Sequence, residues 1–579
     1  CLEWPGRAAV SERLWRAPSR QNRIFGTLCE SPVADCDSRP YPVAMEPRSD
    51  LPTHEVTNQL PARGDRDLWS NDPVLRTHAA DADAAALQRQ AQALGRAQMA
   101  EAARDANRHG PELVLFDAGG RRLDEVRFHP AYHAFLHLGL TGGYASGPWQ
   151  GGRHLTHAAM VYLHSQVEPG TCCPMTMTYA AVPVLRGTGA LGDTWAPKLT
   201  AGQYDAALKP VTQKAGATLG MAMTEKQGGS DVRANSTRAE KLADGWRLTG
   251  HKWFCSAPMS DGFLTLAQAP GGLTCFLVSR WLENGQRNAI HILRLKDKLG
   301  NRANASAEIE YHGALAEQVG EEGDGIRTIL TMVHHTRLDT ATAPAGLMRA
   351  ALDHAHHWTA HRSAFQRRLI DQPLMRAVLA DLALDWEGAA ALAFRVARAF
   401  DNPGQAAFSR ISVALAKFLN NKLAGRVIGE AMEVMGGMGY VEDSPLPLLY
   451  REAPLNGIWE GSGNVICLDI LRSLARDPAC AEALDAALEA PRGQLPGYDA
   501  ALTSYRNTWK TPPTEAQARA FATQTATLLT AATLIDAATA SVAEAFVATR
   551  LTNGPGLIAG ANPTANPAAM LSRLGPATD

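Results

Sequence analysis

Apolar residues recur at three- and four-residue steps from Leu374 to Ala399 and again from Phe408 to Met435. That spacing puts them on one face of an α-helix, and two such stretches predict an antiparallel bundle. Between about 219 and 320 the pattern shortens. Trp246 to Gly250, Phe263 to Ala267, Leu273 to Val278, Ile290 to Leu293 and Ala307 to Tyr311 are short segments punctuated by Gly and Asn, the texture of β-strands. Upstream, Asp81 to Arg108 is rich in Ala, Gln and Arg and suits a helix by propensity, with more helix expected at about 155 to 167 and 190 to 205. Downstream, Asp477-Pro478 and the loop around Pro491, Gly493 and Pro496 set off an Ala/Thr-rich helical segment at 515 to 550 and a Gly/Pro/Asn-rich tail expected to fray. The boundaries read as a leader at 1–44, a helical domain at 45–218, a β domain at 219–322, a helical bundle at 323–477 and a helical appendix with its tail at 478–579.

Composition narrows the function classes. A chain of 579 residues exceeds one hydrophobic core, and 20% charged with 45% apolar residues predicts folded domains. A formal net charge of −2 excludes global attraction to nucleic acid or anionic membrane, so any such surface must be local. Nine cysteines, two of them the adjacent Cys172 and Cys173, show neither CxxC pairs nor His-Cys ligand spacing. No metal site and a reduced, cytoplasmic protein are expected. No apolar run reaches the roughly 18 residues a membrane helix needs. Residues 1–44 mix Pro, Arg and Ser with Glu3, Glu12, Glu30 and Asp35. They fit neither a signal nor a transit peptide, so they read as a non-native or disordered leader with Met45 as the natural start.

Four strings carry candidate chemistry. MAMTEKQGGSDV, Met221 to Val232, pairs Gly228 and Gly229 beside Ser230 and Asp231; such a turn can offer N–H groups to an anion, although by itself it reads as a turn. Gly250 to Ser256 looks like a strand with Phe254 and Ser256 on one face, an aromatic plate beside a hydroxyl, or simply a core strand. Glu433 to Tyr440, EVMGGMGY, ends a helix with capping glycines. Ile458 to Asn464, IWEGSGN, precedes the apolar helix Val465 to Leu474, and Glu460 taken alone reads as a solvated loop acid. The basic run Arg294, Lys296, Lys298 and Arg302 reads as a solvated face.

In this order the strings resemble the acyl-CoA dehydrogenase family: TE…GSDV, a GxK…[ST] strand, an Arg-bearing helix, GGxGY and a YEGT-like loop written here WEGS. MTEKQGGSDV, LKDKLGNRANAS, EAMEVMGGMGY and IWEGSGN are similar to its AidB-like, alkylation-response branch over about residues 52 to 475. The resemblance implies an α+β fold with a helical N-domain, a β-sandwich or barrel middle domain, a C-terminal helical bundle and the appendix. It implies FAD, lined by Met221, Ala222, Met223, Thr224, Glu225, Gly229 and Ser230. Phe254, Cys255 and Ser256 would flank the ring, and Ile458, Trp459, Gly461, Ser462, Gly463 and Asn464 would close the site. Arg362 and Phe365 would reach a partner subunit's FAD, and Gly436 and Gly437 its adenosine half, in a homotetramer built as a dimer of dimers. Glu460 matches the catalytic base that takes the α-proton of an acyl thioester. Trp459 and Arg472 match residues tied to double-stranded DNA in the branch.

Lys226 and Gln227 in place of Pro-Gly, Phe254 for Trp, Glu433 for Gln and His334 for an acid associated with CoA all predict weak, isovaleryl-CoA-like dehydrogenation. The expected function is a flavoprotein of the adaptive response to DNA alkylation that binds and protects duplex DNA. The alternatives are a metabolic short branched-chain acyl-CoA dehydrogenase without DNA binding, and a flavoprotein whose FAD is only structural.

Overall fold

Gly95 breaks the expected 81 to 108 helix in two, Ala84–Leu94 and Ala97–Arg108, because the carbonyl of Arg66 lies where any Cβ at that position would sit. The computed structural model describes residues 48–243, 245–554 and 556–576, so the expected leader lies outside the described residues. Residues up to Thr57 form a unit of their own, described from Arg48 and holding the small pair Asp50–Leu51 with His54–Glu55. The unit from Asn58 onward contains everything below.

Its N-terminal part is helical, but the chain also forms the hairpin Glu112–Phe116 with Arg122–Arg127 and the helix Cys172–Leu185. Nearly every residue of that helix is buried, Cys172 and Cys173 included. It has no polar face to give a periodic signal.

The middle domain is a closed barrel. Ser306–Val319 pairs with Gly245–Ser256, which pairs with Arg238–Leu242; a single pairing leads on to Gly262–Ala269, then Gly272–Ser279, which returns to Ser306–Val319. Leu219–Ala222 and Ile290–Leu295 lie alongside. Trp246, Phe263, Phe276, Ile309 and Tyr311 fill the interior. Lys252 is buried too, and its ammonium bonds Glu225 Oε1 and the Leu266 carbonyl, both at 2.8 Å. The Glu225 carboxylate also accepts from the backbone of Ser236 and Thr237, which ties the 221 to 232 segment to the barrel wall.

The basic run is a solvated face only in part: Arg294 and Arg302 are exposed, whereas Lys296 and Lys298 are largely covered. Arg294 and Lys296 both pair with Glu308. The Lys296 ammonium lies 3.4 Å from the centroid of the Trp253 ring and 4.8 Å from that of Phe254, and Arg302 pairs with Asp297. Lys298 turns inward to the Asn304 carbonyl at 2.7 Å, and the same loop docks on the C-terminal helices: Asn301 N donates to Glu452 Oε2 at 2.6 Å.

Three long helices, Gly325–His361, Pro373–Phe400 and Ala406–Val434, make the bundle, and Gly463–Arg476 packs on the last of them. The appendix is not set off from it. Asp477 caps the helix Pro478–Glu489, so Asp-Pro starts a helix rather than a linker. Ala518–Ala537 packs against Pro373–Phe400, Ala406–Val434 and Gly463–Arg476. Its buried threonines bond back to the carbonyl four residues earlier, as Thr525 does to Phe521 and Thr530 to Ala526. Among the described residues, the end of the tail packs onto the bundle instead of fraying. The helix Pro567–Ser572 buries Met570 and Leu571, and Leu574 behind it is buried as well. Arg573 reaches the buried Glu387 at 2.8 Å, and Arg349 donates to the carbonyls of Leu574 and Asn71, both at 3.0 Å. Among the described residues no helix is long and apolar enough to cross a membrane.

Glu225→Gln strands the Lys252 ammonium in the barrel without a counter-charge. The expected loss is about 3 to 5 kcal/mol, read as a lower denaturant midpoint; an unchanged midpoint would contradict the pair's role. Burial pushes the Glu452 carboxyl up from 4.5 to about 7. Between those values the folded protein holds a proton that the unfolded chain releases, so this stabilisation is full below 4.5 and lost as pH rises through about 7. The advantage of wild type over Glu452→Gln is therefore expected to shrink by up to about 3 kcal/mol between acidic and mildly alkaline buffer. Denaturation curves of both proteins at each pH measure it.

Candidate active site

The turn from Asn456 to Gly461 carries Glu460 into the bundle just before the helix Gly463–Arg476. Glu460 has φ 59 and Gly461 φ 104. A left-handed conformation costs a side-chain-bearing residue on the order of 1 kcal/mol, so surrounding contacts must hold it. Thr336, on the helix Gly325–His361, donates to Glu460 Oε2 at 2.7 Å. Arg337 Nε donates to the Glu460 carbonyl at 3.2 Å and is itself fixed by Asp469 at 2.7 Å, which Arg410 also pairs at 2.8 Å. Lys417 donates to the carbonyls of Asn456 and Gly461, both at 2.9 Å. Trp459 Nε1 donates to Asn456 Oδ1 at 2.8 Å. Glu460 is thus no solvated loop acid: burial pushes its carboxyl above the ordinary range, opposed by the Thr336 hydroxyl, Lys417 and Arg337.

Cys173 connects this carboxyl group to the barrel. Its thiol touches Ser256 and Asn304, feels the charges of Lys298 and Glu460, and is pushed up to about 12 by burial. Behind Ser256, the hydroxyl of Ser306 lies 3.4 Å away, and Lys298 donates to it at 3.3 Å. Ser256 thus neighbours a buried thiol on which Glu460 acts through its charge.

The other residues assigned to a flavin divide by reach. Phe254, 50% exposed, and Ile458, 63% exposed, are large apolar side chains left bare. Ser256 shares the Phe254 side of the strand, whereas Cys255 points into the barrel core and has only its backbone to offer. Ala222 and Glu225 are likewise buried, Glu225 by its pairing with Lys252, while Met221, Met223 and Thr224 are partly covered. Gly229 packs against the Thr224 side chain so closely that a Cβ would overlap it, and Ser230 is exposed beside it. Ser462, Gly463 and Asn464 open the helix Gly463–Arg476, with Arg519 of the appendix donating to Asn464 Oδ1 at 2.8 Å.

Arg362 and Phe365 sit elsewhere. Arg362 follows the far end of the helix that carries Thr336, roughly 39 Å along its axis at 1.5 Å per residue. Phe365 tips a hairpin of Ser363–Ala364 with Arg367–Arg368, has φ 51 and is 93% exposed. Gly436, at φ 60, and Gly437 lie past the end of Ala406–Val434, with open space around them. None of these four lies at the turn that carries Glu460. The bare apolar faces of Phe254 and Ile458 and the open glycines fit a planar flavin.

His334, where an acid is associated with CoA, is stacked on Phe400 at 4.5 Å, and burial lowers its imidazole to about 3. It is neutral and turned into an aromatic cluster. Arg472 is exposed on Gly463–Arg476, as is Arg476, and neither has an acidic partner among the described residues. Trp459 is partly buried and packs against the core. Sequence reasoning missed Thr336, Lys417 and Cys173. Only the odd lysine in the apolar string Ala414 to Leu419 left a trace.

Comparison with known proteins identifies the family. Residues 58–206 match the adaptive response protein AidB N-terminal domain, 220–314 the acyl-CoA dehydrogenase middle domain and 323–475 the acyl-CoA dehydrogenase C-terminal domain. The AidB protein of Escherichia coli (strain K12), an acyl-CoA dehydrogenase by name, is 45% identical over 476 residues, 80% of this chain and 88% of that one. The crystal structure of Caenorhabditis elegans ACDH-11 in complex with C11-CoA superposes with a TM-score of 0.78 at 27% identity, covering 86% of this chain and 93% of that one. The structure of Bd2924 in its apo form gives 0.74 at 28% identity, covering 82% and 99%. With a barrel between two helical domains and a half-buried glutamate held by Thr336 at the bundle, this chain belongs to the acyl-CoA dehydrogenase family and carries an AidB-type N-terminal domain.

Proposed function

We propose that this protein is a cytoplasmic FAD-containing member of the AidB branch that retains weak acyl-CoA dehydrogenation and binds duplex DNA, protecting it during the response to alkylation. The observation that carries the chemistry is Glu460, held in a left-handed turn and bonded by Thr336. Bound there, FAD supplies the acceptor for a hydride from the β-carbon of an acyl thioester. Thr336 occupies Oε2, so Oε1, which has no hydrogen-bond partner among the described residues, is the oxygen that receives the α-proton. The base must be ionised, and its raised pKa means that the rate climbs as pH rises through the Glu460 titration. The neutral, stacked His334 supports poor thioester binding, and the remote Arg362, Phe365, Gly436 and Gly437 support a dimer contact within a homotetramer. The complex of ACDH-11 with C11-CoA makes a medium-chain thioester a sensible first probe.

Anaerobic mixing of the yellow protein with a panel of acyl-CoA thioesters is expected to bleach flavin slowly, faster at higher pH, and not at all in Glu460→Gln. Flavin absorbance untouched by every thioester in wild type would remove the dehydrogenase part of this reading.

The DNA part rests on the resemblance and on Arg472 and Arg476, both exposed and unpaired among the described residues. Affinity for duplex DNA is expected to fall linearly on a log–log salt plot, and Arg472→Ala to reduce that slope by about 1. Brisk bleaching with no mobility shift at low salt would instead favour a metabolic short branched-chain dehydrogenase.

A further inference from the structure

Lys417 sits in the middle of Ala406–Val434 with 2% of its surface exposed, among the buried Ala414, Leu415, Ala416 and Phe418. An ammonium in such surroundings is costly unless something compensates it. No carboxylate lies within ion-pairing distance among the described residues. Its hydrogen bonds go to two backbone carbonyls, Asn456 and Gly461, which bracket the turn that carries Glu460. The Glu460 carbonyl between them is taken by Arg337 from a different helix.

A neutral amide could make the same two bonds, so the geometry explains the donors and leaves the charge to be explained. The charged and titratable groups facing Glu460 are few. From the helix Gly325–His361 come Arg337, already paired with Asp469, and Asp339, which opposes ionisation. Asp339 is itself matched by His157 at 2.6 Å. The helix Cys172–Leu185 brings the Cys173 thiol, and Ala406–Val434 brings Lys417, with Lys422 acting on Lys417 in turn. Of the two cations that bond this turn's carbonyls, Arg337 is paired with Asp469, and Lys417 has no acid paired with it among the described residues.

We propose that Lys417 is a positioning residue for Glu460: its ammonium closes both ends of the Asn456–Gly461 turn and supplies the positive charge that keeps the Glu460 carboxyl group ionised. The assignment rests on the reading of Glu460 as the base. Burial lowers the Lys417 ammonium to about 7 while Glu460 draws it back up, so the two titrate as a coupled pair.

Two measurements on the purified holoprotein test this without turnover. Infrared titration follows the protonated-carboxyl band that disappears in Glu460→Gln, and hydrogen exchange follows backbone protection across 456–464. Lys417→Gln keeps amide donors without charge and is expected to leave exchange close to wild type while raising the Glu460 midpoint by about 1 to 3 pH units. Lys417→Met is expected to raise the midpoint and also accelerate exchange in that segment, and Lys417→Arg to restore the midpoint. If Lys417→Met does not fold, the Gln and Arg variants carry the test. A Glu460 midpoint unmoved in Lys417→Gln overturns the assignment, as does exchange that rises equally across the whole chain. Wild type that never bleaches with a thioester, yet whose Glu460 midpoint follows Lys417, contradicts the dehydrogenase reading and sustains this one. Bleaching with an indifferent midpoint does the reverse.

Discussion

A turn that carries a carboxyl group into a helical bundle brings its backbone carbonyls with it, and neither helix nor strand can satisfy them there. Two cations solve that problem here. Lys417 and Arg337 take the carbonyls of Asn456, Glu460 and Gly461 from two different helices, and Asp469 with Arg410 braces Arg337 in turn. The left-handed Glu460 is held by its main chain before its side chain meets Thr336. Charge and geometry thus come from the same side chains.

The barrel meets this turn through a second set of buried polar groups. Glu225 and Lys252 fix the glycine-bearing segment to the wall, and the loop containing Lys298 and Asn301 is pinned to Glu452 of the C-terminal helices. That loop also places Lys298 behind Ser306 and Ser256. Docking between domains and presentation of the serine therefore share one loop. A change that loosens the junction would also move the hydroxyl facing the thiol of Cys173.

How much of this was legible in the sequence follows from where each signal resides. The helices Pro373–Phe400 and Ala406–Val434 matched the apolar spacing to within two residues, although residues 379–394 and 411–420 are buried all round, because their exposed ends and the length of the apolar run still marked a helix. The barrel strands showed as short segments between glycines. The helix Cys172–Leu185 is buried on all sides and carries no such pattern. Glu460 could be found only through the order of four strings, because its own neighbourhood reads as a loop. Thr336 and Lys417 stand 124 and 44 residues from the groups they hold, and nothing local marks a side chain whose meaning depends on what lies opposite. The tail failed for the opposite reason: its Gly, Pro and Asn content is that of a loose end, while Met570, Leu574 and Arg573 find prepared partners.

Those partners have a bearing on how the chain is made. The buried guanidinium of Arg349 donates to the carbonyls of Asn71 and Leu574, more than 500 residues apart in the chain. A ribosome adding about 5 to 20 residues each second delivers Leu574 some tens of seconds after Asn71. Throughout that interval a strong donor in the middle of the longest helix lacks one of its acceptors, and Glu387 awaits Arg573. The bundle can collapse during synthesis, but its closing polar contacts belong to the moment after the last helix emerges.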